Sequence, residues 1–110
     1  MKTLWLVMAS LLIAGLATVA SLAGGNLTPE RRDALVHLVR QDCGSCHGMT
    51  LKGGLGRPLL PDNLATRSEA DLAGVILDGV PGTPMPPWRG LLEPDEAMWI
   101  ARKLKSGFPQ

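Results

Sequence analysis

Both cysteines of this 110-residue chain lie in one pentapeptide, CGSCH, and this motif restricts the fold more than any other feature. Cys43 and Cys46 are separated by two residues, and His47 follows the second cysteine directly. Cysteine pairs at this spacing occur in redox disulfides, in zinc sites and in attachment sites for haem. The rest of the sequence has to discriminate among these three interpretations.

Two of the three interpretations have little support elsewhere in the chain. A structural zinc site needs four ligands. Besides the motif, the chain offers His37, which falls on the preceding predicted helix at a poor spacing. A thioredoxin-like disulfide requires a strand–helix context with a parallel sheet, and no strand pattern is visible. Both interpretations stay open, but the third explains more of the sequence.

C-x-x-C-H is the attachment signature of c-type haem. Each thiol adds to one vinyl group of the porphyrin, and two intervening residues let the thiols span adjacent pyrrole rings. The histidine that follows then lies under the iron. The motif therefore predicts one covalently attached haem c, with Cys43 and Cys46 as thioether sites and His47 as an axial ligand. A large apolar cofactor also suits a chain with one Phe and no Tyr.

The second axial position of the iron needs a candidate of its own. Met85 lies in "GTPMPPW", where the surrounding prolines stiffen the loop and remove competing backbone donors. Met49 is too close to His47 to reach the opposite haem face, Met98 is expected to fill the core of the last helix, and His37 is expected to be exposed. Met85 is therefore the predicted ligand. An iron with both axial sites filled moves single electrons, so we expect an electron carrier rather than an enzyme.

The first 23 residues have the pattern of a secretory signal. Lys2 precedes an uncharged stretch that runs from Leu4 to Ala23, and small-residue cleavage points follow Ala20 and Ala23. A retained membrane anchor is the alternative, since about 20 apolar residues can cross a bilayer. In both cases residues 24–110 are expected to form one domain on the far side of the membrane, which predicts a periplasmic location.

Helical signals dominate the rest of the chain. The predicted helices run from Pro29 to about Gln41, from Ser68 to Gly79, and from Pro94 to Gly107, with proline- and glycine-rich loops between them. One of these loops is expected around the cysteine pair. The fold class is therefore all-α. The net charge of +1, without any basic run, argues against nucleic acid as a partner.

Together, "CGSCHG", the glycine–proline loop, "GTPMPPW" and a final helix with an aromatic residue resemble class I cytochromes c from Thr28 to the end of the chain. The resemblance implies terminal helices that cross, haem in a cleft, His47 as proximal ligand, Met85 as distal ligand, and Trp88 near the haem. One feature departs from the family. Its Gly-Pro-x-Leu pattern, whose proline carbonyl orients the proximal imidazole, reads "GRPLL" here, with Pro58 one place late.

A narrower resemblance rests on "CGSCHGMTLKGGLG" and "PGTPMPPW". These segments are similar to the short periplasmic cytochromes encoded beside the dihaem nitrite reductase of denitrifying bacteria, the NirC type. The resemblance implies a periplasmic redox partner, with electrons given to that nitrite reductase. Its alternative implication is an accessory role in the maturation of the reductase's second haem.

Overall fold

The computed structural model describes residues 27–109, and every regular element in this part of the chain is helical. The predicted signal segment lies outside the described residues. Within them, no helix has both the length and the apolar character needed to cross a bilayer. The all-α prediction is confirmed. The elements are α1 (Pro29–Leu38), a π-helical segment (Val39–Cys43), α2 (Gly44–His47), α3 (Pro61–Leu64), α4 (Glu69–Asp78) and α5 (Pro94–Ser106).

The first three elements follow one another without a break, and this corrects the predicted position of the first loop. The cysteine motif was expected in a loop, but it occupies the last turns of this helical run. Gly44 keeps a helical backbone at φ −62°, so it does not interrupt the run. The chain leaves the helix only at Gly48, where φ is 91°. The loop therefore begins directly after His47.

The boundaries of α4 and α5 follow the capping signals in the sequence. Ser68 accepts a hydrogen bond from the backbone N–H of Asp71 at 3.0 Å, and α4 ends at Gly79 with φ 66°. The helix α5 begins with a reciprocal capping box and ends at Gly107 with φ 101°. The short helix α3 was not predicted, because a single turn inside a proline-rich stretch carries no periodicity.

The core is formed by the apolar faces of α1, α4 and α5 together with buried leucines from the connecting loops. Leu35, Val39, Ala97 and Ala101 have no exposed surface, and Ile100 has almost none. Burial of this kind is the main favourable contribution to folding. The other buried apolar side chains are Leu51, Leu64, Leu72, Ala73, Ile76, Leu77, Leu92, Leu104 and Phe108.

Polar contacts join the first and last helices of the described chain. Arg31 on α1 forms a two-pronged ion pair with Glu96 on α5, in which Nη2 lies 2.9 Å from Oε2. The Glu96 side chain also accepts a hydrogen bond from the backbone N–H of Glu93 at 2.9 Å. Beyond the ends of these two helices, Arg40 in the π-helical segment donates to the carbonyl of Pro109 at 2.8 Å. These contacts fix the two helices relative to each other.

Replacing Glu96 by glutamine should lower the free energy of unfolding by about 2 kcal/mol at neutral pH, because an uncharged amide replaces a nearly buried carboxylate and Arg31 loses its charged partner. The hydrogen bonds from Arg31 hold the pKa of Glu96 below its usual range. The carboxylate therefore stabilises the fold fully above its unfolded pKa of about 4.3, and this contribution is lost as the pH falls through the lower folded pKa. Urea unfolding at several pH values measures this.

The matched control for this substitution is Glu69→Gln. Glu69 faces Arg102 at 3.4 Å in an exposed ion pair, which contributes less than about 1 kcal/mol. Equal losses of stability in the two variants, or an unchanged acid transition in Glu96→Gln, would contradict the role given to Glu96.

Alanine should have opposite effects at two glycines of this fold. Gly74 lies inside α4, and an added Cβ there meets no atom within 4 Å. Gly74→Ala should therefore stabilise the protein by about 1 kcal/mol through helix propensity. Gly107 has φ 101°, which strains any residue with a side chain, so Gly107→Ala should destabilise it. The denaturant midpoints of the two variants test this prediction, and midpoint shifts of the same sign in both variants would contradict it.

Candidate haem-binding site

The two cysteines occupy positions three residues apart on the helical run that ends at His47. Residues at this spacing lie on the same side of a helix. Cys43 is half-buried against the core, Cys46 is exposed, and both are free thiols in the structure. Burial, together with the neighbouring charge of Asp42, raises the pKa of the Cys43 thiol to about 11. The motif thus presents two thiols and an imidazole from one short helical segment.

The His47 ring is held by a backbone carbonyl on the following loop. Its Nδ1 lies 2.6 Å from the carbonyl oxygen of Arg57. A carbonyl can only accept, so Nδ1 carries a proton, and in the neutral ring Nε2 then presents its lone pair. A neutral imidazole with one nitrogen fixed in this way has the arrangement found in histidines that bind metals. The carbonyl that orients the His47 ring is therefore that of Arg57.

Glycines allow this loop to return closely against the end of α2. The N–H of Gly53 donates to the His47 carbonyl at 2.8 Å, and the N–H of Gly56 donates to the Cys46 carbonyl at 2.7 Å. A Cβ added to Gly56 would lie 2.7 Å from Nδ1 of His47, closer than real Cβ contacts occur. Glycine at position 56 is therefore a condition for the observed position of the imidazole.

Met85 lies on a second loop, which connects α4 to α5 and is closed at its base. The N–H of Trp88 donates to the Ile76 carbonyl at 3.0 Å, so the loop returns to the last turn of α4. On the outside, Arg89 donates to the carboxylate of Asp78 at 2.7 Å. Met85 itself is half-buried. We call residues 79–88 the Met85 loop.

The other candidate ligands lie where the sequence suggested. His37 is exposed on α1, Met98 is half-buried in α5, and the Met49 side chain is 57% exposed. Among residues 27–109, no three or more His, Cys, Asp or Glu side chains are grouped so that they could hold a metal ion. The zinc interpretation therefore finds no ligand set in the described chain.

The residues present fit a covalently attached haem. The helical segment supplies two thiols and an imidazole whose Nε2 is available, and the Met85 loop supplies a thioether. Half-buried Leu59 and Trp88, one from each loop region, pack against the core and offer apolar surface to a macrocycle. Sequence reasoning identified the two cysteines, His47, Met85 and Trp88. It missed Leu59 and the Arg57 carbonyl, although the place of Arg57 directly after Gly56 matches that of the proline in the family's Gly-Pro-x-Leu pattern.

Residues 30–102 match the family model described as "Cytochrome C oxidase, cbb3-type, subunit III". Cytochrome c55X of Paracoccus denitrificans is 63% identical over 71 residues, which cover 64% of this chain and 69% of that protein. The solved c-type cytochrome NirC is similar in structure, with a TM-score of 0.73 and 46% identity over 74% of this chain and 96% of NirC.

A larger protein contains a similar segment. The solved dihydro-heme d1 dehydrogenase NirN, in complex with DHE, matches with a TM-score of 0.61 and 36% identity. The match covers 67% of this chain but only 16% of NirN. The family model and these similarities agree with the helical fold and with the motif described above. The chain therefore belongs to the c-type cytochromes, a family with covalently bound haem c, and within that family it is a NirC-like cytochrome.

Proposed function

We propose that Cys43 and Cys46 form the two thioether bonds to a single haem c, and that His47 and Met85 are its axial ligands. The observation that carries this proposal is the hydrogen bond from Nδ1 of His47 to the Arg57 carbonyl. It directs Nε2 toward a ligand and raises the basicity of the ring. Met85, held on a loop of its own, then supplies the ligand for the opposite face.

The function that this arrangement supports best is the transfer of single electrons. Haem c supplies an iron that alternates between the ferric and ferrous states by one electron. The chain's own residues hold both axial positions, so no coordination site is left for a substrate. Methionine as second ligand raises the potential relative to two histidines. The protein is therefore a carrier that accepts one electron and passes it to a partner.

The proposed location is the periplasm and the proposed partner is the dihaem nitrite reductase of denitrification. The support is the similarity to NirC over almost the whole of that chain, together with the export signal read from residues 1–23. Complexes between redox proteins bury little surface and dissociate quickly. We therefore expect weak, transient binding to the reductase.

Visible spectra of the exported protein in both oxidation states test haem attachment and ligation together. We expect a low-spin c-type spectrum, a weak sulfur–iron charge-transfer band in the oxidised form, and pigment that acid–acetone does not extract. Cys43→Ser with Cys46→Ser is the matched control, from which the pigment should be extractable or absent. Rapid mixing of the reduced protein with oxidised nitrite reductase should then transfer one electron per molecule. A colourless protein, or no transfer, contradicts the proposal.

A second candidate function is an accessory role in the maturation of the reductase's second haem. The observation that favours it is the matching segment within dihydro-heme d1 dehydrogenase. A dehydrogenation releases two electrons and two protons from its substrate, and a one-electron carrier would accept the electrons singly. Deletion of the gene discriminates the two functions. A reductase with complete cofactors but slow turnover supports the carrier, whereas a reductase that lacks its second haem supports the accessory role.

A further inference from the structure

Both backbone polar groups of Met85 are hydrogen-bonded within its own loop. Its carbonyl accepts from the N–H of Val80 at 3.2 Å. Its N–H donates to the side-chain hydroxyl of Thr83 at 3.3 Å. Met85 is thus attached to the start of the loop by one direct bond and by one bond to a side chain.

The hydroxyl of Thr83 connects the two sides of this loop. While its oxygen accepts from Met85, its proton is donated to the carbonyl of Val80 at 2.7 Å. The backbone N–H of Thr83 donates to the same carbonyl at 3.1 Å. Val80 and Met85 are therefore linked in both directions, once through their own backbone groups and once through the Thr83 hydroxyl.

Prolines make the hydroxyl difficult to replace by a local rearrangement. Position 84 and positions 86 and 87 are prolines, so Met85 has the single backbone N–H between residues 84 and 87. Residues before proline are also restricted to extended backbone, which applies to both Thr83 and Met85. The loop has few other ways to satisfy the Met85 N–H from within the chain.

We propose that Thr83 is a positioning residue whose hydroxyl holds the Met85 loop in the conformation that presents the thioether to the haem iron. This inference rests on the proposed assignment of Met85 as axial ligand. It assigns to Thr83 a role that acts through Met85 and not through contact with the haem.

The physical basis is the balance between a closed loop and an open one. Carbon monoxide can bind to the reduced protein only when Met85 has left the iron, so its binding rate follows the fraction of open loop. Thr83 is exposed, and water can take over its partners when the loop opens. Removing the hydroxyl therefore weakens the closed state alone. The two bonds together should change the open fraction about tenfold.

The experiment measures carbon monoxide binding to the reduced holoprotein, with the charge-transfer band of the oxidised form as a second readout. Thr83→Val removes the hydroxyl and preserves the shape of the side chain. Thr83→Ala removes the hydroxyl and shortens the side chain. Both should bind carbon monoxide about tenfold faster than the parent protein and show a weaker band. Thr83→Ser keeps the hydroxyl and should restore both properties. Thr66→Val, in the exposed turn after α3, is the control for threonine removal.

The reference variant Met85→Ala distinguishes a failure of the Met85 assignment from a failure of the role proposed for Thr83. If the parent protein resists carbon monoxide, Met85→Ala binds it promptly, and Thr83→Val and Thr83→Ala behave as the parent does, then Met85 is the ligand and the role of Thr83 is refuted. A Thr66→Val variant that binds carbon monoxide as fast as Thr83→Val also refutes the role of Thr83. If the parent protein already binds carbon monoxide as fast as Met85→Ala, the assignment of Met85 itself fails, and the inference about Thr83 fails with it.

Discussion

Replacing Met85 by alanine should leave the haem covalently attached but lower the reduction potential and open the protein to carbon monoxide. In the proposed arrangement attachment depends on Cys43 and Cys46, which the substitution does not touch. A thioether is a soft ligand that favours ferrous iron, so its loss favours the ferric state. We expect a decrease on the order of 100 mV, within the roughly 0.8 V range over which axial ligands set haem potentials. Potentiometric titration followed in the visible spectrum measures it.

The chain offers a control for this substitution in Met49. It lies on the loop that follows His47, and its side chain is more than half exposed. Met49→Ala should keep the parent potential and the parent resistance to carbon monoxide. A potential that stays at the parent value in Met85→Ala, or that falls equally in both variants, would refute the ligand assignment.

Gly56→Ala should strongly disturb the proximal side of the site. The new Cβ would overlap the imidazole of His47, and either the ring or the loop must move. The bond from Nδ1 to the Arg57 carbonyl would then be lost. Changes in such supporting hydrogen bonds weaken metal sites by about 10–100-fold, and overpacking costs about 1–3 kcal/mol of stability. We expect a low haem-to-protein ratio and a partly high-spin spectrum.

Gly90→Ala is the matched control, since an added Cβ at Gly90 meets no atom within 4 Å. It should be produced with the parent haem content and spectrum. A Gly56→Ala variant with parent haem content, potential and stability would show that the close approach of the loop to the ring has no functional weight.

The helices and most of their ends could be predicted from sequence because their signals are local. Ser68 and Gly79 bound α4 through one side-chain oxygen and one positive φ, and both features are visible in the residue types. The predicted end of the first helical run was wrong because that boundary is not set by a local signal. Gly44 favours an end to a helix only by propensity, while the burial of Leu35 and Val39 keeps the run in place. Tertiary packing decided that boundary.

The candidate site likewise contains groups that could be predicted from the sequence and groups that could not. Side chains with distinctive chemistry, such as His47 and Met85, can be recognised in the sequence. Backbone groups do not, since every residue has a carbonyl. The Arg57 carbonyl was missed because the family's pattern pointed to Pro58, whereas the close approach of Gly56 to the ring sets the register of that loop. The Thr83 hydroxyl was missed because its two partners are backbone groups as well.

The π-helical segment Val39–Cys43 has a consequence for the permitted length of the chain. The N–H of Gly44 bonds to the Val39 carbonyl, five residues back, so this turn holds one residue more than an α-helical turn. Removing one residue between them, Gln41 for example, would restore ordinary α-helical spacing and leave the residues after it facing in nearly the same direction, because the wider turn already takes up the extra residue. The segment Val39–Cys43 is thus the place where this helical run can gain or lose one residue without turning the cysteine motif away from the buried face of α1.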